Sequence, residues 1–255
     1  MTTFLAMDQV RARLVPAAVR TITARLTAER ADLLAQSAGS SEALVFDPDA
    51  WAATLFRVWM GAGEAFYAFT VDDLLEMFKG DDLFHVKQLD PAQLRRLRNN
   101  PGALNAIAER VRRVGLQEAQ SSSRLLQRAA DKFDSTEQAI RALYQPGEVR
   151  SRAQRLAENN VLDATAEVQQ AAAVATERAL LKSWLSRGDA KVRPTHGEAH
   201  AIYSPGGSPG PIGLEEAFNV GSGTAQHPRD ASLPARERIN CRCQTRYIPA
   251  ARVTA

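Results

Sequence analysis

The sequence predicts a mainly α-helical N-terminal part with a long connecting helix, followed by a small α+β, turn-rich C-terminal module. Three observations predict it. Apolar residues recur at three-to-four spacing behind helix-start signals over the first 144 residues, residues 149–187 contain neither glycine nor proline, and glycine, proline, histidine and cysteine become concentrated after Gly188. The expected organisation is a helical domain over 1–147, a long helix over 148–188 and the small module over 189–255.

Each element has a local reason. Residues 9–36 carry Val15, Val19, Ile22 and Leu26 on one helix face, and Gln36-Ser37-Ala38-Gly39-Ser40-Ser41 then breaks the pattern. Asp47-Pro48 pairs a side-chain acceptor at an N-cap with proline at the first helical position, where its missing N–H costs nothing; Trp51, Leu55, Phe56 and Val58 follow. Asp90-Pro91 and Asn100-Pro101 repeat this device, and Ser135 with Gln138 can form a capping box ahead of Ile140 and Leu143. Gln145-Pro146-Gly147-Glu148 reads as a turn, after which Ala, Glu, Gln, Arg and Leu dominate up to Arg187, one long helix or two nearly collinear ones. Gly188 suits a C′ position, because glycine enters the left-handed region without a Cβ penalty. Beyond it, Ser204-Pro205-Gly206-Gly207-Ser208-Pro209-Gly210-Pro211-Ile212-Gly213 reads as a turn-rich stretch with short strands around it.

Composition sets bounds on this picture. A chain of 255 residues with 45% hydrophobic residues can bury a substantial core near the size at which one domain becomes two. Met1–Met7 has no basic start, and no window approaches eighteen uninterrupted apolar residues, so neither a secretory signal nor a membrane span is expected. Two cysteines separated by one residue would close a small strained ring, which favours reduced, cytoplasmic thiols. The net charge of +3 is too small to argue for nucleic acid. Residues 42–90 hold ten acids against three bases and residues 91–133 three acids against nine bases, a pattern of solvated helix faces that attract one another or a partner.

Candidate ligands cluster in the last quarter. His196 and His200 are four apart, the spacing of one helix face, and Cys241 and Cys243 are two apart, the spacing of one strand face. Two nitrogens and two sulfurs suit tetrahedral zinc, although the spacing is not that of a standard finger. The competing reading has the histidines bonding to backbone and the thiols packing as small buried hydrophobes. His227 reads as an exposed loop residue, and His85 as the edge of the helical core. Arg193, Arg236, Arg238, Arg242 and Arg246 either form a face for phosphate or pair with Asp189, Glu198, Glu215, Glu216, Asp230 and Glu237 among them. Trp184 reads as an apolar anchor for the module. No nucleophile with a base, paired carboxylates or phosphate-cradling loop stands out: Gly206-Gly207-Ser208-Pro209-Gly210 has no lysine after it, Gly221-Ser222-Gly223 is uninformative, and a Cys241 nucleophile with a His196 base lacks an orienting third group.

The run Trp184…Asp189-Ala190-Lys191-Val192-Arg193-Pro194-Thr195-His196, a loop, and then Pro234-Ala235-Arg236-Glu237-Arg238-Ile239-Asn240-Cys241-Arg242-Cys243 resembles the Mu F-type phage head morphogenesis family over about residues 150–247. Trp184, Asp189, Val192, Arg193, His196 and the closing Asn240-Cys241-Arg242-Cys243 carry the likeness. Lys191 and the segment Leu156-Ala157-Glu158-Asn159 depart from it, and residues 1–147 resemble nothing nameable. The resemblance implies a minor head protein of a tailed bacteriophage, assembled in the host cytoplasm into the virion head at or near the portal vertex. Its expected partners are the portal and other head proteins, with packaged DNA a further contact, and neither membrane nor small-molecule substrate. No enzymatic activity is expected. The alternatives are a metal-dependent nuclease or toxin-like effector delivered with the genome, and a DNA-binding virion module.

Overall fold

The computed structural model describes residues 4–39, 44–78, 101–176 and 179–250. These form α1 (Phe4–Gly39), α2 (Pro48–Phe78), α3 (Pro101–Ala130), α4 (Thr136–Leu143), α5 (Pro146–Ala175), β1 (Leu180–Leu185), α6 (Pro194–Tyr203), β2 (Ile212–Gly213), β3 (Phe218–Val220), β4 (Gly223–Ala225), α7 (Ala235–Arg238) and β5 (Gln244–Pro249). The fold class is the one the sequence predicts, helices first and a small α+β module last. None of the described helices is long and apolar enough to cross a membrane. The chain divides into two compact units, Arg11–Ala62 with Asn105–Val161, and Met1–Val10 with Gly63–Leu104 and Leu162–Ala255.

Two helix starts follow from the chemistry read in the sequence. Asp47 Oδ1 accepts the backbone N–H groups of Asp49 and Ala50, each at 2.9 Å, with Pro48 at the first position of α2. Ser135 Oγ accepts from Gln138 N at 3.2 Å, while Gln138 Oε1 reaches back to Asp134 N at 3.2 Å, one residue before the cap. Pro146 is the first residue of α5, so what reads as a turn is the start of the helix. Asp90 and His85 lie outside the described residues, as does Asn100.

The first unit buries Ile22, Leu26 and Leu33 of α1 with Trp51, Leu55 and Trp59 of α2 and Ile140, Ala153 and Ala157 beyond them. On the same face of α1 sits Glu29, only 1% exposed. It accepts hydrogen bonds from Trp51 Nε1 at 2.5 Å, Ser122 Oγ at 2.9 Å and Tyr144 Oη at 2.5 Å, which joins α1, α2, α3 and the end of α4 through one carboxylate. Arg25 and Arg152 stand near it at 3.8 and 3.9 Å. Burial, with the Glu29 charge next to it, pushes the Tyr144 hydroxyl above its ordinary pKa.

The expectation of one helix running to Arg187 is corrected by the structure. The helix ends at Ala175, and Leu180–Leu185 is the central strand of the sheet β2-β1-β5. Its six residues pair antiparallel with β5 from Leu180↔Pro249 to Leu185↔Gln244, and Leu181 and Lys182 pair with β2. Leucine-rich composition favours helix by only a few tenths of a kcal/mol per residue. A strand hydrogen-bonded on both edges and packed into a core outweighs that preference. Gly188 does take a left-handed conformation, φ 71°, but in the turn after β1 rather than at a helix end.

Lys182 in the middle of β1 is fully buried, which its charge would forbid were it unpaired. Its ammonium donates to the Gln226 carbonyl at 2.9 Å and to Gln226 Oε1 at 2.6 Å, and lies 5.1 Å from the centre of the Phe218 ring. Burial holds its pKa at about 8. Trp184, Tyr203, Ile212, Phe218, Val220, Leu233, Cys241 and Cys243 belong to the core around it. Phe218 makes edge-to-face contacts with both Trp184 and Tyr203, at 5.4 and 5.0 Å between centroids.

Candidate metal centre

The segment from Asp189 to His196 is organised before any helix begins. Asp189 closes a tight turn by accepting Lys191 N at its carboxylate and Val192 N at its carbonyl, both at 3.0 Å. Pro194 then opens α6 at a position that suits proline, and His196 falls in its first turn, facing inward. Across from it, Pro234 leads into the single turn α7, Asn240 takes a left-handed conformation at φ 58°, and the chain passes Cys241 and Cys243 before β5 begins.

These two segments meet at His196. Its Nδ1 lies 3.4 Å from Cys243 Sγ and 3.5 Å from Cys241 Sγ, and all three residues are buried. The other ring nitrogen, Nε2, is 3.2 Å from Glu237 Oε2, which also accepts the Thr195 hydroxyl at 2.9 Å. A carboxylate accepts and does not donate, so this contact selects the tautomer with hydrogen on Nε2 and leaves the Nδ1 lone pair facing the sulfurs. Trp184 stands edge-on to the imidazole, with centroids 5.5 Å apart, and blocks its rotation.

The three ligand atoms lie within 4.8 Å of one another, a group that can hold a metal ion. With zinc–sulfur and zinc–nitrogen bonds of about 2.3 and 2.0–2.1 Å, a tetrahedral site requires N···S separations of about 3.5 Å. The two observed N···S separations, 3.4 and 3.5 Å, match this spacing. The two thiols are not alike in their acidity. A hydrogen bond from the Cys243 thiol holds Cys241 well below the ordinary thiol pKa against the opposing effect of burial, with His196 adding to the shift. That same contact, together with burial, pushes Cys243 up.

His200 does not join this cluster. Its Nδ1 lies 3.0 Å from the Trp184 carbonyl and 3.1 Å from Ser204 Oγ, so it ties α6 to β1 instead. Four residues along a helix advance a side chain by about one full turn, roughly 6 Å, and that offset carries His200 past the sulfurs. Cys241 and Cys243 converge as expected but ahead of the strand rather than on it. His227, expected at the surface, is buried; Glu167 Oε2 lies 3.4 Å from its Nε2. Burial works against its charge, but Glu167, the Pro228 carbonyl and Asp230 together outweigh it, so its pKa is raised.

The arginines divide between partners. Arg242 donates to Asp189 Oδ1 at 2.6 Å, and this bond holds the Asp189 carboxyl below its usual range. Arg193 donates to the Ile239 carbonyl, and Arg236 donates to Ser222 Oγ at 2.8 Å beside Glu237. Buried Arg229 joins Asp163 of α5 to the Cys241 carbonyl, at 2.5 and 2.8 Å, and so braces the cysteine segment from behind.

Glu237 is the member of this site that sequence reasoning missed, having been counted among the carboxylates available to arginine. Its place in the same short run as Cys241 and Cys243 was the available signal. Gly221 was missed as well: at φ 58°, a Cβ there would lie 2.7 Å from Glu237 Oε1 and 3.3 Å from Thr195 Cγ2. Gly221→Ala is therefore expected to lose about 1–2 kcal/mol from backbone strain alone and to displace Glu237 from His196. Denaturant unfolding checks this, and an unchanged midpoint would show that the turn adapts freely.

The chain matches no family model, no curated protein and no solved structure.

Proposed function

We propose that this chain is a minor head protein of a tailed bacteriophage, acting without catalytic turnover in head assembly at or near the portal vertex and supporting DNA packaging or delivery. One observation carries the reading. The two sequence runs that resemble the Mu F-type family interlock in a single module: Asp189 pairs with Arg242, Arg193 reaches Ile239 beside Asn240, and His196 joins Cys241 and Cys243, with Trp184 packed against the ring. Residues far apart in sequence that carry one motif and meet pairwise support a shared module better than either run does alone. The ion that suits the His196, Cys241 and Cys243 donor set is zinc, since two thiolates and an imidazole at tetrahedral spacing favour it over oxygen-seeking cations.

The partners in this reading are the portal and other head proteins, reached from the virion interior or its vertex. The unequal charge of residues 42–90 and 91–133 supplies both signs for such docking. Mass spectrometry of purified virions or proheads is expected to find the chain at low copy number, and deletion of its gene is expected to lower the yield of filled heads. Heads that lack the chain altogether, together with robust nuclease activity of the isolated protein, would overturn the proposal in favour of an effector.

A further inference from the structure

His196, Cys241 and Cys243 supply three ligand atoms, and a tetrahedral ion takes four. The nearby groups with the chemistry to complete the set are engaged elsewhere. Glu237 lies at Nε2, the nitrogen remote from the sulfurs, and cannot reach an ion bound at Nδ1. His200 is held at the Trp184 carbonyl, and Asp189 is bonded to Arg242. Among the described residues no further histidine, cysteine or carboxylate joins the group.

The three ligands instead line one wall of a small cleft. Lys191, Val192, Arg193, Asn240 and Arg242 are among the residues that form the rest of it, and it leaves room for about one water molecule. Its lining holds four cations, Arg187, Lys191, Arg193 and Arg242, and no carboxylate, and two of these are paired from outside it, Arg187 with Asp8 and Arg242 with Asp189. Thiolates at both cysteines would cancel the charge of a divalent ion, so the rim sets the sign of the local potential, and with Arg242 and Arg187 each balanced by a carboxylate it is Lys191 and Arg193 that make it positive.

We infer that the zinc site has three protein ligands, His196 Nδ1, Cys241 Sγ and Cys243 Sγ, and a fourth position open to the basic cleft of Lys191, Arg193 and Arg242, where a water or small anion binds and exchanges. This rests on the zinc reading above and adds to it that the site is not closed. A structural zinc normally has four protein ligands, whereas an open position is where an outside group enters. Here the cleft admits only a single small donor, which suits an acidic side chain or a phosphate oxygen presented at its mouth and leaves no space for a substrate to be enclosed. Glu237 is a positioning residue in this arrangement, because it fixes the tautomer that directs Nδ1 at the ion.

Cobalt(II) in place of zinc in the full chain tests this, with sodium azide as the probe anion. The expected result is thiolate-to-cobalt charge transfer in the near ultraviolet, with visible d–d bands that shift saturably as azide is added. Lys191→Gln, an exposed rim substitution, is expected to weaken azide binding severalfold while leaving the cobalt spectrum before addition unchanged. A tetrahedral thiolate–cobalt spectrum that azide does not move would overturn the inference and leave the metal reading standing, the protein then supplying the fourth ligand. Absence of any thiolate–cobalt charge transfer from folded protein would overturn the metal reading itself, and the open position with it.

Discussion

Protein purified without chelators is expected to contain one zinc per chain, and removing it is expected to melt the module built on β1–β5 while most of the helical signal remains. A module of about 70 residues rarely gains more than 3–5 kcal/mol from its core alone, whereas zinc held by four protein ligands contributes an apparent 10–16 kcal/mol at neutral pH, so even about half of that from three ligands exceeds the share of the core. Here the ion would tie the first turn of α6 to the chain just before β5, and β5 is paired with β1 along its whole length. Trp184 reports the event, since it lies in this core and against His196. In a Trp51→Phe/Trp59→Phe background its fluorescence should shift to the red on chelation, with far-ultraviolet circular dichroism largely retained. Cys241→Ser should behave as the stripped protein does. Metal-free protein with an unshifted Trp184 spectrum and an unchanged melting temperature would sink the idea and leave the cysteines as packed apolar groups.

The second large effect belongs to the other unit. Glu29→Ala is expected to destabilise it by about 3–5 kcal/mol, the range for stripping one partner from a buried, charged network. Trp51, Ser122 and Tyr144 would each lose the acceptor they share, and Arg25 and Arg152 the charge they stand beside. Tyr144→Phe removes one donor and leaves the carboxylate with two, so it should cost only about 1 kcal/mol. Urea unfolding followed by circular dichroism separates the two variants. A Glu29→Ala loss no greater than that of Tyr144→Phe would mean that the carboxylate is replaced there by water at little cost.

Local chemistry made much of this fold legible. Asp47 and Ser135 were readable as caps because an N-cap needs only a side-chain oxygen and the two or three residues after it, and both make the expected bonds. The strand Leu180–Leu185 was not readable, since its stability comes from Gln244–Pro249, a segment no local window contains. The site shows the same division. His196, Cys241 and Cys243 were visible as residue types at suggestive spacing, and they converge. His200 was grouped with them by helix periodicity alone, which says which residues share a face but not how far along the axis a ligand lies. Glu237 and Gly221 escaped because their roles consist of what they touch: a ring nitrogen in one case, the space beside a carboxylate in the other. His227 looked exposed for want of any local hint of Glu167 on α5.

The pairing of β1 with β5 also constrains how the chain comes off the ribosome. Leu180 meets Pro249, so the central strand has one of its two edges unpaired throughout synthesis of everything between them. During that interval its leucines and Trp184 are exposed without the neighbours that cover them, and the two thiols have not yet been made. The helical unit can be complete well before then, since its last residue is Val161. The module is therefore a late step of folding, slow because its contacts are distant in sequence, and a polypeptide lacking the last strand would lose the longer pairing of β1 together with the anchor that follows both cysteines.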